Sequence, residues 1–149
     1  VVLGFLDDDP RNPVILGMLN SSAKPAPLTA SDDNHVKGFV TRSDMKVLFD
    51  DDKKAVTVET PKGNKIVLSE DEGGITLEDE NGNKIVLDAN GITIESSGDL
   101  NIKASGDATL EGVNVSHKAG ANFKAEGSSG AELSTSATAV VKGSIVQIN

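Results

Sequence analysis

The chain has 149 residues, 14 of them Lys or Arg and 23 Asp or Glu, for a formal charge of −9. That length suits about one domain, yet Trp, Tyr and Cys are absent and Phe numbers only 4. A compact monomeric enzyme would draw on large aromatics for its core, disulfides and thiolate sites need Cys, and nucleic acid needs clustered Lys and Arg, so all three are disfavoured. No stretch approaches the roughly 20 apolar residues of a spanning helix, and no signal peptide opens the chain. It begins Val1-Val2-Leu3 without Met, which is expected of a piece of a longer protein.

Two apolar runs, Val1 to Leu6 and Val14 to Leu19, flank Asp7-Asp8-Asp9-Pro10-Arg11-Asn12-Pro13 and read as strands joined by a hairpin loop. Two strands alone do not make a stable sheet. Residues 21–37 are rich in Ser, Pro, Ala and Asp without periodicity and read as a linker. Short neck strands follow at Phe39–Ser43 and Met45–Asp50, then a polar turn at 50–54 and a strand from Ala55.

From Gly63 the chain repeats itself. Gly63-Asn64-Lys65-Ile66-Val67-Leu68 returns as Gly82-Asn83-Lys84-Ile85-Val86-Leu87, and Gly74-Ile75-Thr76-Leu77 returns as Gly91-Ile92-Thr93-Ile94. The offsets are 19 and 17, so two residues are inserted between the elements of the first copy. From residue 82 an eight-residue ruler applies, with units starting at 82, 90, 98 and 106 and running on to Ile145. Within a unit the apolar residues alternate, as in Leu100-x-Ile102-x-Ala104, which is the period of a strand with one inward face. That parity flips near Gly112-Val113, after which Val113, Val115, Ala119, Ala121, Phe123 and Ala125 align; a bulge would do this. A short repeated β unit implies a stacked, elongated architecture.

Eight residues supply about one strand and a turn, too little apolar surface to offset the entropy of ordering them. One chain therefore provides one wall per step. Three chains winding together would provide three walls and leave no free edge, with small inward residues suited to a narrow interior. A homotrimer follows from the unit length.

The opening VVLGFLDDDPRNPVILGMLN resembles the last strands of the oligonucleotide-fold (OB) domain of VgrG-type spike proteins, through the pattern VVxGFxxxDPxxPVxLGxLxN. Lys37–Ser43 and Leu48–Asp51 resemble the segment leading into their β-helix, and the GNKIVL, GITI and Gly-Asp repeats with the closing VKGSIVQIN resemble the spike shaft. The resemblance implies an all-β fold: an intertwined homotrimeric triple-stranded β-helix preceded by a remnant of an OB-fold. Its parts would be the OB strands at 1–20, linker and neck strands at 21–55, and the shaft at 56–149. It implies a membrane-puncturing spike of a contractile injection system, of the type VI secretion or phage-tail-like kind. A conical PAAR-repeat tip protein or effector would ride on the C-terminal end, and baseplate and tube proteins would join through upstream domains. The protein would reside in the bacterial cytoplasm before firing and then outside or in a target cell. Passage through a membrane would be transient.

Candidate chemistry is sparse, and no cofactor is expected. His35 lies in the polar linker, where a solvated side chain is the ordinary reading. His117 is in register with Val115 and Ala119; in a trimer three copies would meet on the axis and could hold a metal or anion. An outward or hydrogen-bonded imidazole is the plainer alternative. Related phage spikes bind metal through His-x-His, whereas this chain reads His117-Lys118-Ala119. The clusters Asp7-Asp8-Asp9, Asp50-Asp51-Asp52 and Glu70-Asp71-Glu72 lack EF-hand spacing, and Asp79-x-Asn81-x-Asn83 is followed by Lys84 where that loop needs Gly. No G-x-S-x-G elbow and no phosphate-cradling glycine loop occur. Ile145, Val146, Ile148 and Asn149 form the end expected to cap the interior or dock a tip. Two other functions share the scaffold: a tailspike-like glycan depolymerase, disfavoured by the absence of Trp and Tyr for sugar stacking, and an adhesin stalk, which more usually carries an anchor or signal sequence. The mechanical spike, not an enzyme, is the reading the residues favour.

Overall fold

The computed structural model describes residues 1–17 and 19–148. The chain is all-β and divides into two compact units, Val1–Ile102 and Lys103–Asn149.

In the first unit, β1 (Val2–Phe5) pairs antiparallel with β2 (Pro13–Gly17). Between them Leu6–Asp8 forms a 3-10 turn in which Asp7 and Asp8 take φ of 53° and 57°, a left-handed conformation that Asp tolerates better than most residues. The expected hairpin is therefore present. A separate seven-stranded antiparallel meander follows, in strict chain order: β3 (Val36–Val40), β4 (Lys46–Asp50), β5 (Ala55–Glu59), β6 (Lys65–Ser69), β7 (Gly74–Glu78), β8 (Lys84–Asp88) and β9 (Gly91–Glu95). The first neck strand lies three residues earlier than its composition suggests. Thr41 to Asp44 are spent on a turn, closed by Thr41 N–H to Met45 O at 2.9 Å, with Asp44 at φ 61°. The strand consequently extends back to Val36 and Lys37.

The repeat is a repeat of hairpins. Glu59 pairs with Lys65 and Glu78 with Lys84, leaving equivalent loops at 60–64 and 79–83. Ser69 pairs with Gly74 across the loop 70–73, whereas Asp88 pairs with Gly91 across 89–90 alone. That four-residue loop against a two-residue one is the physical origin of the offsets 19 and 17. Over residues 82–95 the eight-residue ruler thus marks antiparallel hairpin partners. The two GIT glycines serve different needs: Gly91 sits at φ 129°, while a Cβ on Gly74 would overlap the carbonyl oxygen of Leu87 on β8.

The loops are stitched by the repeated Asn. Asn64 Oδ1 accepts from Glu80 N–H at 3.2 Å, and Asn83 Oδ1 accepts from Ser97 N–H at 3.0 Å. Asp79 accepts from the Asn83 side chain (2.7 Å), Asn83 N–H (2.9 Å), Asn81 N–H (2.8 Å) and the Asn81 side chain (3.3 Å). These donors, led by the Asn83 amide, hold the Asp79 carboxyl down to about 2.

The second unit is built differently. The backbone bends sharply at 105–106, 113–114, 120–121, 128–129, 136–137 and 144–145, with extended segments between. The steps are eight residues except for one of seven, from 113 to 120. This shorter step replaces the bulge expected near Gly112-Val113: one residue fewer reverses the parity of everything after it, as a bulge would. The corners fall on Val113 and Ala121, which alternation alone assigns to the inner face.

No hydrophobic residue among the described residues is buried; Ser69, at 8% exposed, is the one buried residue. In a chain that is 37% hydrophobic, the described residues form no buried apolar core.

Candidate functional site

The site is an interface with one side absent. Strand alternation puts two apolar rows on one face of the meander. The first runs Phe39, Val47, Val58, Ile66, Leu77, Ile85, Ile94 and the second Phe49, Val56, Leu68, Ile75, Leu87, Ile92, each member directly opposite the next in the strand register. Ten of these thirteen, all but Val47, Val56 and Leu87, are 37% or more exposed. Val58, Ile66, Leu77, Ile85 and Ile94 line an open concavity of about 830 Å³ together with Leu100. Contiguous exposed apolar surface on this scale marks an interaction site.

The opposite face has a row the sequence reading missed. Lys46, Glu59, Lys65, Glu78, Lys84 and Glu95 lie side by side, one per strand, and the sign of charge alternates at every step. Lys46 meets Glu59 at 3.5 Å and Lys65 meets Glu78 at 3.2 Å. The signal was present in the sequence, but the spacing between neighbours changes with loop length, so no fixed period reveals it.

In the second unit, counting back from each corner separates the residues cleanly. The third residue before a corner is Leu110, His117, Ala125, Leu133 or Val141, and the fifth is Ala108, Val115, Phe123, Ala131 or Ala139. The second and fourth are polar or charged except for Val140. Two contacts agree with this division: Lys124 Nζ lies 2.8 Å from Glu126 on the polar side, and the rings of His117 and Phe123 on the apolar side are 6.2 Å apart and tilted by 35°. The apolar members are bare, with Leu110 69% and Leu133 84% exposed. From Lys103 to Gly143 no backbone N–H among the described residues reaches a backbone carbonyl of the same chain. An extended backbone whose ladder groups are unpaired and whose apolar face is bare is completed by strands from elsewhere.

His117 is exposed in the single chain and touches Phe123. His35 has its carbonyl bonded by Asp51 N–H at 3.0 Å. The acidic clusters are occupied by turns: Asp9 forks onto Arg11, whose guanidinium holds that carboxyl below the ordinary range; Asp50 caps Asp52 and Lys53; Asp51 pairs with Lys37, which lowers its pKa likewise. Among the described residues no group of three or more His, Cys, Asp and Glu is arranged to hold a metal within one chain. At the C-terminal end Ile145, Val146 and Ile148 are exposed, at 85%, 52% and 92%; Asn149 lies outside the described residues.

Comparison with curated proteins finds no match. Over residues 55–149 the chain matches the family described as the phage baseplate V C-terminal trimerisation domain. This covers β5 to β9, whose apolar face is exposed, and the second unit, whose apolar members are exposed and whose backbone from Lys103 to Gly143 is unpaired among the described residues. The all-β and trimeric readings of the sequence are both borne out, and the chain belongs to the phage baseplate V C-terminal trimerisation domain family.

Proposed function

We propose that the chain is the shaft of a membrane-puncturing spike in a contractile injection system, of the type VI secretion or phage-tail-like kind. The observation that carries this reading is the backbone from Lys103 to Gly143, extended, cornered about every eight residues and without intrachain pairing among the described residues. Three copies wound about a common axis pair those groups with one another and turn the apolar columns inward. In the meander, the apolar faces of three sheets pack together. Residues 1–20 are the end of an OB-fold, 21–55 the linker and neck, and 56–149 the shaft.

The mechanism is mechanical. A continuous cross-chain hydrogen-bond network and a dry interior resist bending, with strands stacked at about 4.8 Å per layer. Three copies carry three times −9, or −27, which disfavours loose adhesion to anionic lipid during transient passage. No catalytic step is assigned. The complex resides in the bacterial cytoplasm until firing delivers it outward, with baseplate and tube proteins joined through upstream domains.

The exposed end at Ile145, Val146 and Ile148, with Asn149, presents a PAAR-repeat tip protein or an effector. Removing residues 144–149 leaves the trimer formed and abolishes capture of a purified PAAR-repeat protein in a pull-down. Undiminished capture by the truncated trimer would remove this end from the docking surface.

A further inference from the structure

The alternating row of the meander has a continuation along the sequence. Two residues before successive corners stand Lys103, Glu111, Lys118 and Glu126, again changing sign at every step. The seven-residue step lies between Glu111 and Lys118, and the alternation passes through it because both are counted from the corner that follows. On the neighbouring polar column Lys124 is followed by Glu132 in the next unit. In the meander each such neighbour is a hydrogen-bonded strand of the same chain. In the second unit the chain turns a corner after every member. Among the described residues the one ion pair there is Lys124–Glu126, within a single extended segment.

Three copies related by a threefold axis, each turning one corner per unit, return to the same wall only after three units. The segment stacked on a given unit is then the following unit of a different copy, at the same position and about 4.8 Å away. We propose that Lys103, Glu111, Lys118 and Glu126 form a charge ladder between copies, Lys103 of one against Glu111 of the next, then Glu111 against Lys118 and Lys118 against Glu126. Lys124 and Glu132 add a parallel step. The ladder fixes the axial register and selects further copies of this same chain as partners. This rests on the trimeric winding proposed above.

The apolar columns supply less of that information. Apart from His117 and Phe123 they hold Leu, Ala and Val, which recur from unit to unit, so over most of the unit a slip still buries apolar side chains. The same slip places Lys103 opposite Lys118 and Glu111 opposite Glu126, and like charges directly opposite are destabilising. Charge of this kind discriminates between partners and registers more than it adds raw affinity.

The test uses Glu111→Lys, which puts three lysines in line, the milder Glu111→Gln, and a complete swap. In the swap Lys103, Lys118 and Lys124 each become Glu while Glu111, Glu126 and Glu132 each become Lys, so net charge is unchanged. Glu111→Lys lowers the thermal midpoint of the trimer by several degrees at low salt and Glu111→Gln by less. The loss shrinks near 1 M salt, where the screening length is about 3 Å, and the complete swap regains most of it. When the native chain and the swapped chain are co-expressed, native mass spectrometry finds the two homotrimers in excess over mixed trimers. Equal midpoints for native, Glu111→Lys and swapped trimers, or statistical mixing of the two chains, would overturn the ladder while leaving the trimer intact. A native chain that is monomeric overturns the trimeric winding itself.

Discussion

Replacing Leu110 by Asp abolishes the stable trimer. In a single chain Leu110 is 69% exposed, and a carboxylate there would cost nothing. In three wound copies the same substitution acts three times in one layer. It forfeits the burial of three leucines, worth roughly 1.5–3 kcal/mol each, and brings three like charges together in an apolar interior, where the effective penalty is several kcal/mol per ion. Ala108 and Gly112, the other members of its own inward set, offer no counter-charge. The expected result is loss of SDS resistance and a fall in the apparent mass at concentrations where the native protein stays assembled. Asp at Thr109, on the polar side of the same segment, leaves both unchanged. An L110D protein as resistant and as heavy as the native one would contradict the inward assignment of that column.

The second large effect falls in the meander. Gly74→Val is expected to destabilise the protein by about 3 kcal/mol per chain, the upper range for overpacking. The cause is backbone: a Cβ at this position overlaps the Leu87 carbonyl oxygen, with the Leu87 carbonyl carbon at 3.1 Å and Asp88 Cα at 3.3 Å. β7 is paired on both sides, to β6 and β8, so it cannot move away from one neighbour without disturbing the other. Gly91→Val costs less, roughly 1–3 kcal/mol of conformational strain at its positive φ, since nothing lies within 4 Å of a Cβ there. On the scale of about 4–8 °C per kcal/mol for domains of 60–100 residues, Gly74→Val lowers the melting midpoint by more than 10 °C. A smaller shift for Gly74→Val than for Gly91→Val would contradict the close approach of β7 and β8.

How much of this was legible in the sequence depends on what sets each feature. The hairpin at the N-terminal end and the strand character of the repeat come from local alternation and turn residues, and both are visible in Val14–Gly17 or Gly91–Glu95 without any structure. Of the corners of the second unit, Ser105-Gly106 is a turn-favouring pair that can be read directly, while those at 113–114, 120–121, 128–129, 136–137 and 144–145 have mixed residues and are signalled only by the eight-residue spacing. What alternation does not distinguish is a missing residue from an extra one. The seven-residue unit at 113–119 and a bulge reverse parity alike; the corners fall on Val113 and Ala121, whereas Val115, His117 and Ala119 share one extended segment. The start of β3 was missed because Val36 and Lys37 follow a Pro- and Ser-rich stretch, and their strand is defined by partners at Asp50 and Phe49, fourteen and twelve residues away. The Lys/Glu row was missed for the same reason: Lys46 and Glu59 are thirteen residues apart, whereas Glu59 and Lys65 are six. Long-range register, fixed by loop length, is what a local period does not carry. The C-terminal end is legible only as exposed Ile and Val, at Ile145, Val146 and Ile148.

The most direct measurement of the central claim is absolute mass by light scattering on the protein as it elutes from a sizing column. The chain weighs 15.4 kDa. Three copies wound together give about 46 kDa with a hydrodynamic radius larger than that of a sphere of the same mass. A folded, compact species of 15.4 kDa would contradict the account, because the apolar rows of the meander and the unpaired backbone of the second unit would then have to be satisfied within one chain.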